Sequence, residues 1–289
     1  MRAATEPAAE KRAVPGAPAL IRHLRDRDDA RLFILSGSPT QMREVLEEKL
    51  RLDGVRYDGL ILKDNLSNLR RGRFRAIRGQ FGYKLPQLLI SRRGMGRAVR
   101  ETLFGDDAEV DALIYSVYAD VLAGRLRSAQ ISRIMESAGA YPDRIDSALE
   151  SIAALPTGEV VERIFIHLER GTPPGKFSVL GHRVVPVFSW WQAALVLFGE
   201  HRLSHDGLME VLQEVISAEG LTDWSVAGLA QDMVLRGHLS AAILDRLPGA
   251  LGKRCQQAIG RITPPPPRSM TPRTVDYLAL LKGWEDGGR

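Results

Sequence analysis

The chain contains one cysteine, Cys255, among its 289 residues. No internal disulfide can therefore form, which fits a reducing compartment. The stretch MRAATEPAAEKRAVPG has no apolar core and is not typical of a secretory signal peptide. We therefore expect a cytoplasmic protein.

Long apolar runs are also missing. The longest, VVPVFSWWQAALVLFG from Val184 to Gly199, is shorter than the ~20 residues that span a bilayer and is interrupted by a proline and polar residues. We predict a buried helix in this segment. An interfacial segment anchored by Trp190 and Trp191 is the alternative.

Acidic residues are absent from residues 65–100. The same segment holds ten basic residues: Arg70, Arg71, Arg73, Arg75, Arg78, Lys84, Arg92, Arg93, Arg97 and Arg100. Such a basic block is typical of a solvated face or of a surface that binds an anion. Because aromatic residues for base stacking are few there, we expect a phosphorylated small molecule or lipid, or a peripheral anionic membrane surface, as the partner, and no nucleic acid.

Short apolar runs that end in small or polar residues alternate with helical patterns in the first part of the chain. Strands are predicted at residues 32–35, 57–62 and 102–104. The clearest helical spacing runs from Val110 to Leu122, and Gly124 ends it. Strand–helix alternation of this kind indicates a three-layer α/β fold with a parallel sheet.

From Arg125 onward the pattern becomes mostly helical. Helices are predicted around residues 131–135, 145–155, 191–197, 208–216, 226–235, 241–247 and 274–284. The segment 161–168 fits either a strand or a helix, and Pro264 to Pro267 predict an extended spacer. We therefore predict an α/β core over residues 1–125 and a mostly α-helical C-terminal extension over residues 126–289.

The first candidate site residue is Ser36, in the run RLFILSGSPT. It follows a predicted strand, Gly37 keeps the backbone small beside it, and the N-terminus of the next helix favours an anion. The alternative is an ordinary strand–turn–helix junction, because Ser, Gly and Pro are common in turns.

The second candidate is Lys84, in GYKL. A fixed ammonium group can neutralise a phosphate and a carboxylate and hold them together. The alternatives are that Lys84 is one more cation of the basic block, or that Lys63 in LILKD takes the role.

The third candidate is an acidic cluster, Asp106, Asp107 and Asp111, directly after a predicted strand. Three carboxylates so close together repel one another unless a cation is present, and Mg²⁺ takes one or two carboxylates together with waters and substrate oxygens. The alternative is capping of the next helix by Asp107, with Glu109 stabilising the helix dipole. The two roles are compatible.

In this order, the hydroxyl, the lysine and the carboxylates resemble motifs two, three and four of the haloacid dehalogenase (HAD) superfamily of phosphotransferases. The stretches KRAVPGAPALIRHL, SGSPTQ, LDGVRYDGLILKD, GYKL and FGDDAEVDALIYSVYADVLAGR look like the bacterial branch of the actin-patch-type phosphatidate phosphatases, a HAD subgroup. The likeness covers roughly the first 125 residues, and ERGTPPGKF with RVVPVFSWWQAALVLF looks like the C-terminal extension of the same proteins.

The resemblance implies a HAD-like Rossmannoid sheet and Mg²⁺-dependent hydrolysis of a phosphomonoester such as phosphatidate or another lipid phosphate. Ser36 and Lys84 would stabilise the phosphoryl group, and Gly37 would contact it. Asp106, together with Asp107 or Asp111, would hold the Mg²⁺.

The first HAD motif, DxDx(T/V), which carries the aspartate nucleophile, is missing from the chain. The nearby DxD at 26–28 follows a predicted helix instead of a strand. We therefore expect that the first, central strand is absent, that the chain is inactive as it stands, and that the true start lies upstream of Met1. Ser36 and Asp106 should lie at the same end of two strands that do not pair. The alternative is a non-catalytic pseudoenzyme that binds phosphate or anionic lipid.

Overall fold

The computed structural model describes residues 13–28, 30–64, 79–247, 249–259 and 274–286. The chain is a mixed α/β protein, 57% helical, with two parallel sheets of two and three strands. This confirms the predicted α/β class and the parallel strands. The predicted spacer at 264–267 and the basic residues Arg70, Arg71, Arg73, Arg75 and Arg78 lie outside the described residues.

The strands of the described residues are β1 (Phe33–Pro39), β2 (Gly59–Lys63), β3 (Glu101–Asp106), β4 (Val161–His167) and β5 (Val184–Val187). One sheet pairs β1 with β2, and the other has the order β3-β4-β5. In the second sheet β3 runs parallel to β4, with Phe104 opposite Phe165 and Asp106 opposite His167. The strands that carry Ser36 and Asp106 therefore belong to different sheets.

The α-helices of the described residues are α1 (Ala17–Asp28), α2 (Arg43–Leu52), α3 (Phe81–Arg93), α4 (Asp111–Leu122), α5 (Ser128–Ser137), α6 (Pro142–Ala153), α7 (Trp190–Gly199), α8 (His205–Glu219), α9 (Asp223–Leu235), α10 (Ala241–Leu244), α11 (Gly249–Ile259) and α12 (Tyr277–Asp286). Short 3₁₀ turns occur at Thr40–Met42 and Pro174–Leu180. Within the described segments, no helix is long and apolar enough to cross a bilayer.

The chain divides into two compact units. The first comprises residues 1–34, 41–60 and 187–269, and the second comprises residues 35–40, 61–186 and 270–289. The predicted division into a core over residues 1–125 and an extension over residues 126–289 stays a prediction.

In the first unit, α7 is nearly all apolar and is buried from Trp190 to Phe198. Its Trp191 ring lies fully in the core and donates from Nε1 to the carbonyl of Val226 at 3.3 Å. Ion pairs between Arg22 of α1 and two glutamates of α8, Glu210 at 2.6 Å and Glu214 at 2.8 Å, link those helices.

The second unit is built around α4, all of whose residues are buried. A helix that is apolar on every side needs cover on every side, and α4 packs against β3, β4, α3 and α12. Its Asp120 is satisfied inside the core, because the hydroxyl of Tyr277 donates to Asp120 at 2.7 Å and Arg125 donates to it at 2.9 Å. This hydrogen bond ties α12 to α4.

The segment 161–168, for which sequence left strand and helix open, forms β4. It is the central strand of its sheet, so both of its edges are paired. Ile164, Phe165 and Ile166 are fully buried in succession, so both of its faces are covered as well. Such a continuous apolar run is typical of a central parallel strand and carries no alternation to distinguish it from a buried helix.

The prediction of one buried helix over Val184–Gly199 is wrong for its first part. Residues 184–187 form β5 at the edge of the sheet. A proline nitrogen cannot donate a hydrogen bond to a neighbouring strand, so Pro186 is tolerated in an edge strand but would not be in a central one. The helix begins only at Trp190, and the Ser189 hydroxyl accepts from the Trp191 amide at 3.3 Å as its N-cap.

Gly82 lets α3 approach the turn before α6. A Cβ at this position would lie 2.9 Å from the Cβ and 3.1 Å from the Cα of Ala140. Gly82→Ala should therefore lower the free energy of unfolding by ~1–3 kcal/mol, as overpacked sites do. The matched control is Gly228→Ala in α9, where nothing lies within 4 Å. That change should stabilise by roughly 0.5–1 kcal/mol. Urea denaturation measures both, and equal effects would show that Gly82 is not a packing requirement.

Candidate functional site

The candidate site lies where β3 ends and α4 begins. The chain turns sharply after Gly105 so that Asp111, the first residue of α4, folds back over the strand. A Cβ on Gly105 would lie 2.7 Å from the Oδ2 atom of Asp111 and 2.8 Å from the Tyr115 ring. Only glycine allows this close approach, so the sequence FGDD fixes the position of Asp111.

Lys84 projects from the first turns of α3 into this corner. Its ammonium contacts a carboxylate oxygen of Asp111 and lies 2.7 Å from a carboxylate oxygen of Glu109. Lys84 is 4% exposed and Asp111 is 3% exposed, so the pair is withdrawn from water. The structure therefore brings together two of the predicted site residues, Lys84 and Asp111.

The cluster carries more negative than positive charge, and its pKa values reflect this. Burial raises the pKa of Asp111; Lys84 opposes that effect, and the charges of Asp106 and Glu109 add to it. Burial alone would lower the pKa of Lys84, but Asp111 and Glu109 outweigh it and raise the pKa above its ordinary value. Both groups thus hold their protons more tightly than in water, Asp111 chiefly because it is buried and Lys84 because two carboxylates contact it.

Asp106 organises the turn. Its Oδ1 atom accepts hydrogen bonds from the backbone amides of Ala108 at 2.9 Å and Glu109 at 3.2 Å. These bonds aim the Glu109 side chain toward Lys84. The N-cap position of α4 is Val110, which makes no side-chain cap, so the capping role considered for Asp107 is not seen.

Asp107 faces a different part of the unit. Its two carboxylate oxygens accept from the backbone amides of Arg170 at 2.8 Å and Thr172 at 3.0 Å. Burial would raise the pKa of Asp107, but these hydrogen bonds outweigh it and lower the pKa. Asp107 therefore holds the loop after β4, and the structure does not bring it to Lys84.

Ser36 and Gly37 lie near the end of β1. The Ser36 hydroxyl accepts from the Ser38 amide at 3.1 Å, as in a turn. A Cβ on Gly37 would lie 2.7 Å from the Nε2 atom of Gln80, which in turn donates to Glu109 at 2.7 Å. The end of β1 and the end of β3 therefore reach one cluster through Gln80.

Gln80 and Glu109 are the members of this cluster that sequence reasoning missed. Glu109 could have been found, because it lies between two aspartates whose role as oxygen donors was considered. Gln80 lies within the basic block, directly before α3, with no motif around it, so the sequence offers no signal for it.

The donor set is compatible in part with the Mg²⁺ that the resemblance implies. Asp106, Glu109 and Asp111 supply only oxygen ligands, which Mg²⁺ prefers, and they outnumber the ammonium of Lys84. Within the described residues, no group of three or more His, Cys, Asp or Glu side chains is arranged to hold a metal ion. Any Mg²⁺ here would rest on Asp106 and Asp111, with water and substrate completing its shell.

Comparison of the chain with protein-family models, with curated proteins and with solved structures found no match.

Removing the ammonium should strand buried carboxylates. Lys84→Met should lower the free energy of unfolding by about 3–5 kcal/mol, because breaking a buried pair leaves an uncompensated charge. The matched control is Lys49→Met, which removes an i,i+4 partner of Asp53 on the less buried helix α2; it should cost about 1 kcal/mol or less.

A double variant tests the coupling within the cluster. Lys84→Met combined with Asp111→Asn should be more stable than Lys84→Met alone, since one of the stranded carboxylates is then neutral. Denaturant unfolding of the four proteins in the cycle measures this coupling. Simple addition of the two losses would show that Lys84 and Asp111 do not interact.

The direction in which the pKa of Asp111 is shifted should determine how stability depends on pH. Because that pKa is raised above the ordinary aspartate value of 3.8, the stabilisation from protonated Asp111 is fully present below pH 3.8. It is lost as the pH rises through the native pKa. The unfolding free energy of the wild type minus that of Asp111→Asn should therefore fall with rising pH and then level. A difference that rises instead would show that Lys84 outweighs burial.

Proposed function

We propose that the second unit is the phosphoryl-binding part of a HAD-type, Mg²⁺-dependent phosphomonoester hydrolase, similar to the bacterial actin-patch-type phosphatidate phosphatases. The observation that carries this proposal is the buried pair of Lys84 and Asp111 with the partly exposed Glu109, a cluster that joins the carboxyl end of β3 to the end of β1 through Gln80. In open parallel α/β sheets, ligands bind at that end of the strands.

Each residue has a task in this proposal. The Lys84 ammonium would hold the phosphoryl oxygens, and the Ser36 hydroxyl would donate a hydrogen bond to them. Asp106 and Asp111 would hold Mg²⁺, which when bound neutralises the charge that develops on a transferring phosphoryl group. Lys84 would then exchange part of its contact with Asp111 for contact with the substrate.

The arrangement of the strands supports the same reading. β1 belongs to a two-stranded sheet and β3 is the edge of another, so each offers a row of backbone groups on its outer side. No residue of β1 or β3 is fully buried, whereas β5 is buried throughout. In the HAD resemblance, an additional strand carrying DxDx(T/V) would bring its aspartate to the phosphoryl group that Lys84 holds.

Partner and location follow as further parts of the proposal. A phosphorylated small molecule or a phosphatidate-like lipid in a cytoplasmic setting fits the chemistry of the cluster. The basic block contributes less to a surface than its composition predicts, because Lys84 is buried with its carboxylates and Arg92 is buried against Glu101 at 2.7 Å.

The nucleophile can be supplied to test the proposal. The 289-residue chain should hydrolyse p-nitrophenyl phosphate no faster than background. A variant extended upstream by an apolar strand ending in DxDx(T/V) should show Mg²⁺-dependent turnover. In the extended protein, Asp106→Asn should lower kcat by roughly 100-fold or more, because it removes a charge that acts on the transition state. The matched control, Asp146→Asn on the exposed side of α6, should leave kcat unchanged.

Two outcomes would contradict the proposal. Hydrolysis by the 289-residue chain, abolished by Asp106→Asn, would show that the nucleophile lies within it. A folded extended protein without Mg²⁺-dependent turnover would favour the non-catalytic phosphate-binding protein.

A further inference from the structure

A second group of cationic and hydroxyl side chains lines a cleft of the same unit. The cleft encloses about 320 Å³, including its opening to solvent. Its lining is Lys63, Gly79, Gly82, Tyr83, Gly139, Ala140, Tyr141 and Arg144. The lining contains two cations, two phenols and no carboxylate. None of these residues takes part in the function proposed above.

Tyr83 is the member of the lining that points to a ligand. It is 9% exposed, and its hydroxyl oxygen is buried with no hydrogen-bond partner among the described residues. Burial raises the pKa of Tyr83 to about 12, although Arg144 opposes that shift, so the phenol stays protonated at neutral pH. A buried donor without an acceptor is unfavourable, and an acceptor entering the cleft would satisfy it.

Lys63, at the end of β2, supplies charge at the bottom of the cleft. It is 1% exposed, donates to the carbonyl of Gly79 at 3.3 Å and lies 5.6 Å from the centre of the Tyr83 ring. Burial lowers the pKa of Lys63; Glu109 opposes this shift, and the cations Lys84 and Arg144 add to it. An anion beside Lys63 would offset both the burial and the repulsion.

Arg144 and the N-terminus of α6 form the other wall. Arg144 is partly exposed, and its Nε atom lies 3.9 Å from a carboxylate oxygen of Asp143. The N-cap residue Tyr141 makes no side-chain cap at this helix start. The amide dipoles of a helix favour a negative charge at its N-terminus. Gly79, Gly82 and Gly139 add no side chains to the lining.

From this geometry we propose that the cleft binds a phosphate group, held by the Lys63 ammonium, the Arg144 guanidinium and the Tyr83 hydroxyl. The neighbouring residues Tyr83 and Lys84 of α3 would thereby serve two separate sites. The shared chemistry is a tetrahedral dianion, either free or on a lipid headgroup. This inference does not rest on hydrolysis, because phosphate binding is measured without turnover.

Titration of the full chain with inorganic phosphate at constant ionic strength tests the proposal by calorimetry. Phosphate should bind the wild type and raise its melting temperature. Tyr83→Phe and Arg144→Gln should each weaken phosphate binding by roughly tenfold, since each removes a hydrogen bond to a charged group. The matched control is Arg133→Gln, an exposed arginine of α5, which should bind as the wild type does.

A second readout separates binding from a structural role. Without phosphate, Tyr83→Phe should melt no lower than the wild type, because it removes a buried hydroxyl that has no partner. If Ser36→Ala abolishes phosphate binding and Tyr83→Phe does not, the anion belongs to the Lys84 cluster, and the inference fails while the proposed function stands.

Vesicles distinguish the two sources of the phosphate group. Sedimentation with phosphatidate vesicles but not with phosphatidylcholine vesicles, weakened by Arg144→Gln, supports a lipid headgroup. Calorimetric binding of inorganic phosphate without sedimentation supports a free ligand. Neither binding nor sedimentation by the wild type would overturn the proposal.

Discussion

The buried contact between Lys84 and Asp111 is the interaction on which the organisation of the second unit depends. Each charge is almost completely withdrawn from water, which is tolerable only because the other is beside it. To meet, the two residues need α3 and α4 at a fixed separation and a turn after β3 that has no side chain at Gly105. One ion pair therefore ties together two helices, a strand end and a glycine.

The surroundings of that pair are arranged by backbone hydrogen bonds more than by further charges. Asp106 accepts two amides of the turn, and Asp107 accepts two amides of the loop after β4. Adjacent aspartates thus order two different loops, while Glu109 and Asp111 share the single ammonium of Lys84. The carboxylates of this cluster therefore outnumber its one ammonium group.

Features that depend on residues close together in the chain could be predicted from the sequence. The helix starting at Asp111 and the polar ends of β1 and β3 follow from local periodicity, and the structure has them close to where the pattern predicts. Features that depend on distant partners were harder. The sequence of β4 fits a strand or a helix because both of its faces are buried, so its residues do not alternate between apolar and polar. β5 lies within a longer apolar run, and its proline is acceptable only at a sheet edge.

The candidate site divides in the same way. The residue types of Lys84 and Asp111 predicted an anion-binding lysine and a cation-binding carboxylate. The spacing of the residues did not predict which group each carboxylate contacts. Asp107 differs from Asp106 only in which side of the turn it faces, and the amides of Arg170 and Thr172 that capture it lie more than sixty residues away. Gln80 reaches Glu109 because the position of α3 brings it to the cluster. This contact depends on tertiary packing, which no local sequence pattern predicts.

The hydrogen bond from Tyr277 to Asp120 has a consequence for biosynthesis. It joins positions separated by 157 residues and satisfies a carboxylate that α4 would otherwise bury with only Arg125 beside it. A nascent chain emerging from the ribosome can form α4 and its sheet long before residue 277 has been made. Until then this helix lacks part of its cover, which is the kind of exposed intermediate that chaperones recognise.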